Sequence, residues 1–181
     1  MKRSHFGALA LTLGLCTVPA TLHAQQMQPT EGTRFGLGIG ATLPMGDYGD
    51  ADKMGFNLLG VLQIPLTSSP VHLRIDGMYS QTSHDGVDGN TTLLGGTVSA
   101  LYHLGDRLAA TRPYVLGGLG FFNVDAGVGG SETKISFGFG GGVLFSLAGL
   151  NAFAEARYMS VQTSGSSVSF VPVSVGLMFG Y

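Results

Sequence analysis

Only 11% of the 181 residues are charged, so charges inside regular segments stand out. Arg74 and Asp76 are two residues apart, and so are Glu155 and Arg157. On a strand, a spacing of two puts both side chains on one face. Each pair joins a guanidinium to a carboxylate, partners that share short, charge-assisted hydrogen bonds. Facing one another, the two pairs make a neutral cluster of four ions. Buried, such a cluster plugs a space; left open, the same groups form a gate or a ligand site. A plug is the expectation.

The other candidates carry less chemistry. His72 and His103 can pair, but two imidazoles are too few ligands for a metal centre. Asp47, Asp50 and Asp52, and Asp85 and Asp88 with Asn90, offer hard oxygen ligands suited to Ca²⁺. Their spacing matches no specific calcium loop, and they are expected to keep surface loops hydrated. Ser83 and His84 supply a nucleophile and a base by type, but no orienting third group is evident. Gly138-Phe-Gly-Gly-Gly142 looks like a nucleotide loop only superficially, since it lies inside a strand pattern and opens no helix. No catalytic residue, metal or cofactor is expected. Without Lys2 and Arg3 the nine basic residues become seven, against 11 acidic ones. That balance argues against nucleic-acid binding, which needs a basic patch.

The elements that position these residues show in the alternation. Eight segments of about ten residues, the length a tilted strand needs to cross a bilayer, run Phe35–Leu43, Gly55–Ile64, Val71–Gln81, Leu93–Leu104, Tyr114–Asn123, Lys134–Leu147, Ala152–Gln162 and Val168–Tyr181. The fifth reads in either phase. The charge pairs fall on the third and seventh segments, diametrically opposite in a closed barrel of eight. Charge on a lipid face is expensive, so all four should point inward. His72 and His103 share that inward phase, near one end of adjacent strands. Glycines on the first, fifth and sixth strands should make room for the arginines.

The alternative is a soluble barrel, whose polar face meets water and carries Lys and Glu. Here that face is mostly Gly, Ser and Thr, which suits a crowded lumen. Phe35, Tyr102, Tyr114, Phe145 and Tyr181 mark one aromatic belt, and Phe56, Tyr79, Phe137 and Tyr158 the other. The connections Met45–Met54, Thr82–Thr92, Val124–Thr133 and Thr163–Ser167 are polar, and mostly longer than Leu66–Pro70, Gly105–Thr111 and Ala148–Leu150. Long loops on one side and short turns on the other are the membrane-barrel asymmetry. The expected fold is all-β, an eight-stranded antiparallel up-and-down transmembrane β-barrel over residues 34–181.

The ends agree. Lys2 and Arg3, the apolar run Phe6 to Val18, and Pro19 to Ala24 read as a signal peptide over residues 1–24. The run is too short for a transmembrane helix of about 20 residues. Cleavage removes Cys16, the one cysteine, and a polar lead-in over residues 25–33 follows. At the other end Val173, Val175, Leu177, Phe179 and Tyr181 share one apolar face.

Taken in order, Gly36-Leu-Gly-Ile-Gly-Ala-Thr-Leu-Pro44, Gly46-Asp47-Tyr48, Arg112-Pro113-Tyr114, Glu155-Ala-Arg157-Tyr158 and the terminal strand carry a resemblance. The chain resembles the small outer-membrane β-barrel family, similar to the outer membrane protein A barrel and its short relatives. That resemblance implies the bacterial outer membrane, contact with its lipids, and a C-terminal strand read by the barrel assembly machinery. It implies a structural or interaction role, with a lipid A-modifying enzyme or a narrow passive pore as the alternatives.

Overall fold

Eight antiparallel strands close on themselves in chain order, because β8 returns to pair with β1. They are β1 (Arg34–Met45), β2 (Gly55–Pro65), β3 (Val71–Ser83), β4 (Asn90–His103), β5 (Thr111–Asp125), β6 (Ser131–Leu147), β7 (Leu150–Gln162) and β8 (Ser167–Phe179). A short helix, α1 (Asp47–Ala51), sits in the first long loop. The computed structural model describes residues 32–66, 69–86, 88–105, 109–125, 130–147, 150–162 and 167–180. Residues 1–24, expected to be a signal peptide, the rest of the expected lead-in to 31, most of the Thr163–Ser167 loop and Tyr181 lie outside the described residues.

The barrel is the one expected from the alternation, with longer strands. The hairpin of β5 and β6 consumes much of the expected Val124–Thr133 loop, and pairing reaches Asp125 opposite Ser131. An antiparallel ladder keeps pairing backbone N–H and C=O groups above the bilayer as well as inside it.

Side chains alternate between two environments. Leu37, Ile39, Leu119, Phe121 and Val175 point outward and are more than half exposed. So broad an apolar exterior suits hydrocarbon and not water. The phase of β5 differs from one expectation. Val115, Leu119 and Phe121 face out, whereas Arg112, Tyr114, Leu116 and Phe122 are buried inside. Tyr114 therefore does not belong to the outer aromatic belt. Arg112 shares its face, and a guanidinium on the lipid side is the costlier arrangement.

The core lies in the lumen. Leu59, Leu93, Leu101, Phe122, Phe153 and Phe170 fill it alongside the expected small polar residues. An eight-stranded barrel is just wide enough for side chains to fill, so large residues face glycines. A Cβ on Gly176 would lie 2.5 Å from the Phe153 ring, and one on Gly142 2.6 Å from Tyr114. Gly140 lies beside Arg157. The β1 glycine Gly38 makes room for Phe153 and not, as expected, for an arginine.

Val175 pairs with Ile39 halfway along β1. Val175→Arg should cost about 2–4 kcal/mol, the penalty for arginine near the bilayer midplane. Val143→Arg, closer to the periplasmic turn, should cost less. Ser131→Arg, at the exposed end of β6, should change stability by only a few tenths of a kcal/mol. Urea titrations of protein refolded in vesicles measure all three, and equal tolerance would overturn the assigned phase.

Candidate functional site

Arg74 and Asp76 project inward from β3, and Glu155 and Arg157 from β7. All four side chains are at most 6% exposed. They close into a ring. Arg74 Nη1 and Nη2 donate to Glu155 Oε2 and Oε1 at 2.5 and 3.1 Å, a two-pronged grip across the lumen. Arg157 Nη1 crosses the other way to Asp76 Oδ2 at 2.8 Å. Along each strand, Arg74 Nε donates to Asp76 Oδ1 at 2.7 Å, and Arg157 Nε lies 2.6 Å from Glu155 Oε1.

Two neutral groups complete the shell. Tyr114 donates its hydroxyl to Glu155 Oε2 at 2.6 Å, and Thr97 donates to Asp76 Oδ2 at 3.2 Å. Among the described residues, seven donor contacts thus reach the four carboxylate oxygens. The ring carries two charges of each sign. Such balance is what makes four buried ions tolerable, because buried charge is costly unless paired and hydrogen-bonded. Arg74 also lies over the Phe153 ring, 5.9 Å from its centre, a favourable cation–π position. A cavity of about 10 Å³ borders Asp76 and Arg157, and a second borders Arg74 and Tyr114. Each has room for a single water molecule.

The lumen continues on both sides of the ring. Phe122 and Phe170 meet edge to face at 6.0 Å toward the extracellular end. Toward the periplasmic end, Gln63 Nε2 is 3.0 Å from His72 Nδ1 and 3.1 Å from His103 Nε2. The two histidines therefore come together through an amide. Among the described residues no group of three or more His, Cys, Asp or Glu is placed to hold a metal.

The sequence matches the family described as outer membrane protein beta-barrel domain over residues 8–179. The chain belongs to that family. Comparison with curated protein sequences finds no match. Among solved structures, this outer-membrane barrel is similar to Neisserial surface protein A (NspA), with 19% identity, coverage of 83% of this chain and 98% of that one, and a TM-score of 0.66. It is similar to Ail, the attachment invasion locus protein of Yersinia pestis, with 19% identity, 83% and 100% coverage, and a TM-score of 0.52. It is also similar to the outer membrane enzyme PagL, with 15% identity, 82% and 99% coverage, and a TM-score of 0.51. Identities this low establish the fold alone. The family places the protein in the bacterial outer membrane, with its apolar belt against the membrane lipids.

The extracellular mouth of this outer-membrane barrel holds a group that sequence reading missed. Tyr48 of α1 is buried, and Asp52, expected among the hydrated loop acids, is 5% exposed. Thr82 donates to Asp52 Oδ2 at 2.5 Å, so the Tyr48 hydroxyl, 2.7 Å from Thr82 Oγ1, acts as donor to it. Burial pushes the Tyr48 phenol up to about 12, which keeps that donor protonated. Asp47 and Asp50 do face solvent. The available signal was an aromatic residue inside an acidic loop. His84 joins the same group through one nitrogen: Nε2 is 3.2 Å from Thr91 Oγ1 and 3.8 Å from Asp52 Oδ1.

Arg74→Ala should destabilise the barrel by about 3–5 kcal/mol, the cost of orphaning a buried charge, less where lumen water intrudes. Arg74→Ala with Glu155→Ala should cost less than the two single changes added together. Strict additivity in that double-mutant cycle would remove the direct pair. Tyr114→Phe should cost about 1.5–3 kcal/mol, one hydrogen bond to a charged group, since the ring still fills the space beside Gly142.

Proposed function

We propose that this protein is a closed, non-enzymatic outer-membrane barrel with a structural or interaction role. The observation that carries the reading is the closed ion ring, bordered among the described residues by two water-sized cavities. A ring whose four carboxylate oxygens are all held by guanidinium or hydroxyl donors offers little to a passing solute. Its carboxylates also make poor acid–base catalysts for the same reason. The ring therefore favours a plug over a pore or a lumen enzyme.

The outer rim supports the same reading. An acyl-transfer site needs a base with one nitrogen toward a nucleophile and the other toward an orienting group. Among the described residues, His84 turns the same nitrogen toward both Thr91 and Asp52, which is not that division of roles. What the barrel then presents outward is the acidic loop surface around α1 and the β5–β6 hairpin. Interaction through those loops is the function proposed.

Planar-bilayer recordings test closure. The wild-type protein should show no steady conductance, and Arg74→Ala with Glu155→Ala should show more. Stable wild-type channels would reject the plug. A lipid A mass profile that changes when the gene is removed would reject the non-enzymatic assignment.

Delivery belongs to the same proposal. Residues 1–24 act as a signal peptide, and the assembly machinery reads the terminal strand. Support for the second comes from the outward face of β8, where Val173, Val175, Leu177 and Phe179 are exposed and Phe179 stacks on Phe35 at 5.2 Å. Deleting Tyr181 should lower the amount inserted in cells and leave detergent refolding of purified protein largely intact. Unchanged insertion in cells would count against the assembly role.

A further inference from the structure

The lipid-facing wall is not uniformly convex. Gly60 of β2 pairs with Gly77 of β3, and Gly77 pairs with Gly96 of β4. All three belong to the outward phase, so three adjacent strands present no side chain at one level. A hollow of about 680 Å³ in the apolar exterior has Gly60 and Gly77 in its floor and continues over Leu37 and Ile39 of β1 to Val175 and Leu177 of β8. The row is stopped at both ends by exposed side chains, Leu37 opposite Gly60 and Phe121 opposite Gly96. Leu58, Tyr79 and Leu94 form the extracellular wall.

Two features say what fills it. First, the face lies in hydrocarbon, where water has no hydrogen-bond partners and an empty cavity forfeits dispersion contacts. A flexible hydrocarbon chain can fill a groove of this kind. Second, the outward face turns polar just beyond the extracellular wall, at Gln81 paired with Thr92. Gln81 is four residues from Gly77, about 13 Å along the strand and roughly 10 Å in depth once tilt is included. Half the hydrocarbon thickness is about 15 Å. A lipid anchored at that polar rim therefore reaches the trench floor from the outer leaflet.

We propose that the trench floored by Gly60 and Gly77 is a binding site for one acyl chain of an outer-leaflet lipid, which in a bacterial outer membrane is lipid A. The site is independent of the lumen plug. Glycine is required there because any larger residue occupies the volume of the chain. A Cβ at Gly77 meets nothing within 4 Å, so the protein itself tolerates a side chain.

The test compares the wild-type protein, Gly77→Leu and Ala156→Leu, each purified from outer membranes in a mild detergent. Ala156 is exposed on β7, outside the lining of the hollow and four strands from Gly77, and controls for added bulk. Heat-modifiable migration checks folding, and native mass spectrometry identifies and counts retained lipid. The wild type and Ala156→Leu should keep about one lipid A per barrel. Gly77→Leu should fold and retain about tenfold less, as for lost contact with about two methylene groups. If Gly77→Leu fails to fold, Gly60→Leu serves, because its Cβ comes no nearer than 3.9 Å to any neighbour. Equal retention in all three proteins would overturn the site, as would wild-type protein carrying no lipid. Retention of phospholipid without lipid A would overturn the outer-leaflet assignment. Dimers that depend on the same glycines and carry no lipid would assign the trench to a second copy instead.

Discussion

Four ions that cannot face lipid must neutralise one another inside a tube eight strands wide. Much of the rest follows from that constraint. Arg74 and Asp76 fix the phase of β3, and Glu155 and Arg157 fix that of β7, since either strand turned by one residue would carry two charges into hydrocarbon. The strands stand opposite in the closed sheet, so their inward faces meet across the lumen. Tyr114 and Thr97 then complete the carboxylate shells from β5 and β4. The ring ties four strands together without a backbone hydrogen bond between the opposite two.

Packing around the ring obeys a second rule, that volume must be conserved in a narrow interior. Phe153 carries Arg74 on its face and rests against Gly38 and Gly176. Tyr114 reaches Glu155 because Gly142 leaves space for its ring. Glycines inside the barrel and glycines outside it thus serve different ends. The inner ones admit large side chains of the same chain. Gly60 and Gly77, on the outer surface, floor a trench that the chain itself does not fill.

The two mouths are closed differently. Toward the periplasm an amide joins two imidazoles beneath the ring. On the extracellular side α1 lowers Tyr48 into the barrel, and a relay of hydroxyls runs from it through Thr82 to buried Asp52. The exposed acids Asp47 and Asp50 stay outside that seal. Loop chemistry accessible to a partner and lumen chemistry inaccessible to one are separated within a single short helix.

The linear chain determined the class of the molecule. Period-two alternation, scarce charge and an apolar terminal strand are local properties, and they led to eight strands, a membrane-facing exterior and an inward ion cluster. Seven of the eight phases were legible because apolar residues on one face alternate with mostly glycine, small polar or charged residues on the other. The fifth strand was not, since glycine and apolar residues occupy both of its faces, and only the closed sheet turned Tyr114 inward toward Glu155. The neutral groups that join the ions, Tyr114 and Thr97, were likewise decided in three dimensions, because barrel stagger determines which inward residues share a level. The burial of Tyr48 and Asp52 depended on where the first loop folds over the mouth. The glycine trench depended on register, since residues 60 and 77 become neighbours only when their strands are laid side by side.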